Sequence, residues 1–187
     1  MLLLSKPSRD RIRTFIESQR DQPFSYCEQG ATKGPAPRGY TVDRNRIQLG
    51  RGEKVFARAV DALRQWKMFE TGWLELCWPD ALIQVGVTVA IMARHYGFWS
   101  LNASRIIYVV DDRGAQPRYG FAYGTLPEHA ETGEERFTVE LCPQDETVWY
   151  DIYAFSRPNG LARLGSPLAR NLQRRFVRDS KAAMLRA

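Results

Sequence analysis

The sequence predicts an α+β fold in which a curved antiparallel sheet of about seven strands packs on one long C-terminal helix. Three observations carry this. Trp73 to Ser156 breaks into six short strand-like runs divided by turn residues. The last 27 residues, Leu161 to Ala187, read as an amphipathic helix with seven Lys/Arg against one acid, Asp179. A single such helix after a run of strands has to bury its apolar stripe on the sheet they form.

Taken in order, Arg9 to Arg20 places Ile12, Phe15 and Ile16 at helical spacing behind Pro7 and Ser8, which predicts a short helix on the surface of the main body. Gln29 to Gly39 holds three Gly and two Pro in eleven residues and reads as a loop able to act as a hinge. Tyr40 to Leu49 is a strand with weak alternation. Glu53 to Trp66 is a helix, with Phe56, Val60 and Leu63 on one face and Arg58, Asp61 and Arg64 on the other. The six runs that follow are Trp73–Trp78, Gln84–Tyr96, Ser104–Asp112, Tyr119–Thr125, Glu135–Cys142 and Thr147–Ser156. Turn material separates them at Pro79-Asp80, Gly97, Gly114, Thr132-Gly133 and Pro143 to Asp145. Phe137, Val139 and Leu141 alternate with Thr138, Glu140 and Cys142, as in a sheet wet on one face. In the closing helix Leu161, Leu164, Leu168, Leu172, Phe176 and Ala183 form the stripe, and Ser166-Pro167 is a fitting entry. Strand, helix, six strands and long helix make the helix-grip order, and the space a curled sheet encloses under its helix becomes a ligand cavity.

Composition bounds the function. The chain of 187 residues is ordinary in apolar and charged content, and suits one domain, residues 24–187, with a helical extension over residues 1–23. Its net charge of +6 equals that of the closing helix, so residues 1–160 are neutral, with 20 basic and 20 acidic residues. The basicity therefore describes one helix face rather than a general nucleic-acid surface. Cys27, Cys77 and Cys142 are odd in number and widely spaced, which speaks against a disulfide scaffold or a structural zinc site and for a reducing cytoplasm. The apolar start, Met1 to Leu4, is too short for a signal peptide, and no run approaches the roughly 20 apolar residues of a membrane span.

Several runs also resemble one family. They are WLELCWP from Trp73 to Pro79, HYGFWSLN from His95 to Asn102 and GFAYGTLP from Gly120 to Pro127. GEERF from Gly133 to Phe137, WYD from Trp149 to Asp151 and FSRP from Phe155 to Pro158 follow in the same order. The resemblance, from about Phe24 to the C-terminus, is to a bacterial and plant family known as domain of unknown function 1990 (UPF 0548). It implies a fold of the START and birch-pollen-allergen helix-grip superfamily. It implies no activity and transfers no functional residues. It leaves the residues before Phe24 as a peculiarity of this chain.

The chemistry read from the residues is sparse. His95 ends an apolar strand and is either an acid/base group or a hydrogen-bonded tip at a sheet edge. His129 sits in a polar hairpin loop and reads as solvated. No HExxH, dinucleotide or Walker pattern occurs, so no metal and no cofactor are expected. Asp151 alternates with Trp149, Tyr153 and Phe155. It is either a buried carboxylate in need of a partner or a surface charge. Trp78, Trp99, Tyr108, Tyr123 and Phe176 are candidates for an aromatic cavity wall beside His95, Trp149, Asp151 and Tyr153. Trp99 draws notice as a large apolar side chain in a turn running from Gly97 to Ser100. Arg170, Arg174, Arg175, Arg178 and Lys181 are either a solvated outer helix face or a contact to nucleic acid or anionic lipid, and an arginine at the stripe edge is alternatively a contact to an anionic ligand inside the grip. The leading function is a non-enzymatic binder of a small apolar or amphipathic molecule. The alternatives are a cavity enzyme (hydrolase, cyclase or isomerase) using His95 or Asp151, and a module docking its basic helix on nucleic acid or membrane.

Overall fold

The computed structural model describes residues 1–78, 80–159 and 166–187. Leu161 and Leu164 of the predicted stripe, and the side chain of Leu168, lie outside the described residues. The elements are β1 (Leu2–Leu3), α1 (Arg9–Gln19), β2 (Thr41–Arg51), α2 (Glu53–Arg64), β3 (Leu74–Leu76), β4 (Thr88–His95), β5 (Phe98–Asp112), β6 (Arg118–Thr125), β7 (Glu131–Leu141), β8 (Thr147–Pro158) and α3 (Ser166–Arg186). All strand pairs are antiparallel, in the order β2-β8-β7-β6-β5-β4-β3. The sheet therefore closes around its long central strands and grips α3, the helix-grip arrangement. No helix of the described residues is long and apolar enough to cross a membrane.

Two strands start earlier than their sequence pattern indicates. Tyr96 (φ 50°) and Gly97 (φ 82°) form a tight turn with both residues left-handed, so β5 already pairs with β4 at His95 and Phe98. Phe98 and Trp99 are thus strand residues and not a turn. Likewise Thr132 and Gly133 belong to β7, and the β6–β7 connection is Leu126 to Ala130. Gly133 is required there because a Cβ would stand 2.0 Å from the Phe155 carbonyl oxygen on β8.

The concave face holds the main core. Leu63, Trp66 and Met68, from α2 and the turn after it, pack on Phe121, Phe137 and Tyr150. This fills one half of the grip. The C-terminal half of α3 closes over it: Ala183 and Met184 are buried, and the Ser180 hydroxyl lies 2.9 Å from that of Tyr150.

The convex face is not wet at its centre. Residues 24–40 cross it and are fastened to Glu134, which is buried on β7. This carboxylate accepts from the Tyr26 hydroxyl at 2.8 Å, the Gly30 amide at 2.7 Å, the Thr32 amide at 3.0 Å, and the Thr32 hydroxyl. The glycine- and proline-rich loop is therefore an anchored strap rather than a hinge. The first residues also join the body. β1 pairs with β5 beyond the end of β6, and Leu3, Ile12 and Phe15 pack on Met92, Leu101 and Leu126.

Candidate functional site

A cavity of about 450 Å³ lies between the other half of the concave sheet and residues Ala169 to Lys181 of α3. Its apolar walls include Ile91, Ala93 and Ile152 from the sheet, Phe69 from the turn after α2, and Leu172 and Phe176 from the helix. An aromatic column borders it. Phe69 stacks on Phe176 at 5.5 Å and on Tyr123 at 6.5 Å, and meets Phe137 edge-on at 6.0 Å.

Strand parity decides which polar groups reach this space. On β7, Glu131, Gly133, Glu135 and Phe137 share the inward face, since successive side chains alternate. Glu135 accepts a hydrogen bond from the Tyr123 hydroxyl at 2.7 Å. Burial, with Glu131 and Asp43 nearby adding like charge, pushes the Glu135 carboxyl up to about 8 even though the Tyr123 hydrogen bond opposes the shift. Glu131 is also raised by burial, against hydrogen bonds from Gln173 and Ser156. At this end Arg170 clasps Asp43 with two hydrogen bonds, 2.6 and 3.3 Å long, and donates to Gln173 at 2.7 Å. Gln173 in turn donates to Glu131 and, at 3.0 Å, to Ser156. One polar chain thus ties α3 to β2, β7 and β8.

Both histidines border the cavity. His95 lies 3.4 Å from the Ser100 hydroxyl, and burial lowers its pKa. His129 is half-buried rather than solvated, accepts from the Glu131 amide at 3.0 Å, and is held neutral by burial, with a pKa of about 4.

Of the nine residues singled out from sequence, His95, Tyr123 and Phe176 line the cavity and six do not. Trp149, Asp151 and Tyr153 have the opposite parity to Tyr150, Ile152 and Ala154 and stand on the convex face. Trp149 donates to Thr147 at 2.8 Å under the Arg46 guanidinium. Asp151 pairs with Arg136 at 3.6 Å, and Tyr153 donates to the Gly34 carbonyl of the strap at 3.2 Å. Tyr108 would face inward but for a β-bulge between Ile106 and Tyr108 that reverses the alternation. Its hydroxyl reaches Thr32 at 2.7 Å instead. Trp99 packs beside the N-terminal cluster with Lys6 and Arg94 over its ring. Trp78 is 39% exposed and borders a separate hollow beside α1.

Of the readings open for the helix cations, the structure brings three of the side chains to the cavity rim. Arg174, Arg178 and Lys181 line the cavity, because their long side chains reach its rim from the flank of α3. Arg178 and Arg175 pair with Asp179 at 2.8 and 3.5 Å, and the same carboxylate accepts from the Trp73 indole at 3.0 Å. Glu131, Glu135, His129, Asp43 and Gln173 were missed from sequence. For Glu135 a signal existed: the alternation through Phe137 and Val139, carried two residues back, puts it on the buried face.

A family model described as "Domain of unknown function (DUF1990)" matches residues 25–183. A UPF0548 protein of Dictyostelium discoideum is 37% identical, aligned over 100% of this chain and 95% of its own. One from Deinococcus radiodurans is 36% identical, over 100% and 98%. Residues before Phe24 therefore have counterparts in relatives, and the relatives extend beyond bacteria and plants. Among solved structures, Ara h 8.0201 is similar at a TM-score of 0.47 and 10% identity, covering 80% of this chain and 100% of that one. The ginseng major latex-like protein 151 from Panax ginseng is similar at 0.41 and 12%, covering 77% and 95%.

Proposed function

Because the chain belongs to the DUF1990 family of UPF0548 proteins, whose description names no activity, we propose its function from the cavity: it binds one small apolar or amphipathic molecule between the sheet and α3. The observation that carries this is the space itself. Its volume of about 450 Å³ falls within the roughly 300–1,000 Å³ of small-molecule sites, and its walls are mainly apolar with a few convergent polar groups. A side chain large enough to fill such a space was available to the sequence at Ala93 and Ala154, and is absent from both positions.

Native mass spectrometry of protein purified from its own host tests the reading. The expected result is a stoichiometric co-purifying molecule, lost from an Ala154→Trp variant whose added ring occupies the cavity while the fold persists. A protein that repeatedly carries nothing, and that no apolar probe stabilises, would sink the proposal.

A catalytic version of this reading passes from Asp151 to Glu135, the carboxylate on the cavity side, with His95 at the wall. Its mark would be turnover of the bound molecule, abolished in Glu135→Gln. Docking of α3 on nucleic acid finds less support, since Arg170, Arg175 and Arg178 already have acidic partners. The three free thiols favour a reducing setting such as the cytoplasm.

A further inference from the structure

Glu135 is the least committed carboxylate on the cavity wall. Asp43 is held by Arg170, and Glu131 by Gln173. The Oε2 atom of Glu135 accepts from Tyr123 at 2.7 Å, whereas its Oε1 atom has no hydrogen-bond partner among the described residues. No cationic group among them comes within 4.0 Å of Glu135 either, because Arg174, Arg178 and Lys181 lie across the cavity on α3. A carboxyl in this setting ionises readily only when a donor or cation meets its free oxygen.

The surroundings select the donor. Phe137 is two residues along the same face of β7, Tyr123 is the cross-strand neighbour, and Phe69 spans both rings. Aromatic faces attract a cation and add nothing for an anion. Glu131 on the same side adds negative charge, whereas Asp43 is matched by Arg170 and the cations Arg174, Arg178 and Lys181 reach the cavity only from α3.

We propose that the cavity ligand is a small apolar amine, whose ammonium group donates to Glu135 Oε1 while its carbon body lies along Ile91, Ala93, Ile152 and Phe176. This rests on the cavity reading above and specifies its ligand class. With the carboxyl at about 8, Glu135 holds its proton at neutral pH until a cation displaces it. Binding therefore releases a proton to solvent, and the ammonium is bound as an ion pair with the carboxylate. The charged and titratable groups around this position are Asp43 on β2, His95 on β4, Tyr123 on β6, His129 in the β6–β7 connection, Glu131 and Glu134 on β7, and Tyr150 on β8. From the helix come Arg174, Arg178 and Lys181, with Arg170 behind Asp43 and Glu131. Arg170 is committed to Asp43, and His129 is neutral above about pH 4.

The test is calorimetric titration with three probes that share one apolar body: 4-phenylbutylamine, 4-phenylbutanol and 4-phenylbutyrate. The amine is expected to bind at least roughly tenfold tighter than the alcohol, with the carboxylate weakest, as charge-assisted hydrogen bonds exceed neutral ones. Its affinity should rise about tenfold per pH unit below 8, with close to one proton released. Glu135→Gln, which keeps an acceptor for Tyr123, should erase the amine's advantage and leave the alcohol unchanged. Equal affinities, or an amine advantage indifferent to both pH and Glu135→Gln, overturn the amine assignment and leave the cavity reading standing. Failure of all three probes overturns both. Should the variant fold poorly, proton release by the unaltered protein in two buffers of different ionisation enthalpy decides the matter.

Discussion

At the scale of single residues, Glu135 and Gly133 show how β7 combines binding chemistry with steric constraint. Glu135 ionises near 4.3 in an unfolded chain but near 8 in the fold. The native state therefore holds more protons between these values, and its stability falls as pH rises through that window. His129 acts in the opposite sense: its depressed pKa costs stability as pH falls from about 6.5 toward 4. Comparing Glu135→Gln with the unaltered protein isolates the carboxylate. The variant should gain stability relative to it as pH rises from about 5 to 8, read from denaturant midpoints. A flat difference would mean that Glu135 is better solvated than its wall position implies. Gly133→Ala tests the steric constraint. An added Cβ 2.0 Å from the Phe155 oxygen and 2.8 Å from the Ser156 Cα must push β7 from β8, and about 1–3 kcal/mol of stability should be lost in equilibrium unfolding.

At the scale of elements, α1 and α3 each behave unlike a simple appendage. Phe15 on α1 is 6% exposed and packs in the cluster with Leu101 and Leu126, so Phe15→Ala should cost about 3–5 kcal/mol in equilibrium unfolding. A loss below about 1 kcal/mol would make α1 a loosely held extension after all. In α3 the two halves do different things. Ser180, Ala183 and Met184 are buried in the core, whereas Leu172, Phe176 and Val177 are half-buried against the cavity. Backbone amides of residues 169–178 should therefore exchange hydrogen faster than those of residues 180–186, and a bound ligand should slow the first group selectively. Uniform protection along α3 would contradict this division.

At the scale of the whole molecule, the curled sheet has too little side-chain volume to fill both halves of its concave face. α2 and the turn after it fill one half, and α3 roofs the other. A ligand in that space joins the core and stabilises the fold by mass action. Stripping a co-purifying ligand should lower unfolding free energy by about 2.7 kcal/mol where it had been present at 100 times its Kd. Thermal melts before and after extraction would measure it. No change on stripping would place the bound molecule elsewhere.

Much of the architecture was legible in the chain, because alternation in the strands and the 3.6-residue period of the helices are local signals. The element order, the seven strands of the main sheet path and the gripping helix follow from them, as does the cavity-side position of Tyr123 and Phe176. The site was legible only in part. Which parity of β8 faces the helix depends on the far side being covered, and both faces of that strand are apolar because the strap of residues 24–40 lies on one of them. The bulge that reverses Tyr108 leaves no mark in its own sequence. The sequence by itself determined a sheet that must curl and a helix that must cover it. Only the tertiary structure decided that Tyr153 meets the strap held by Glu134 and Asp151 pairs with Arg136 on the same convex face, while the cavity takes Glu135. The reason is that charge placement across a sheet depends on contacts about 100 residues apart in the chain, such as Thr32 with Glu134 at |i−j| of 102.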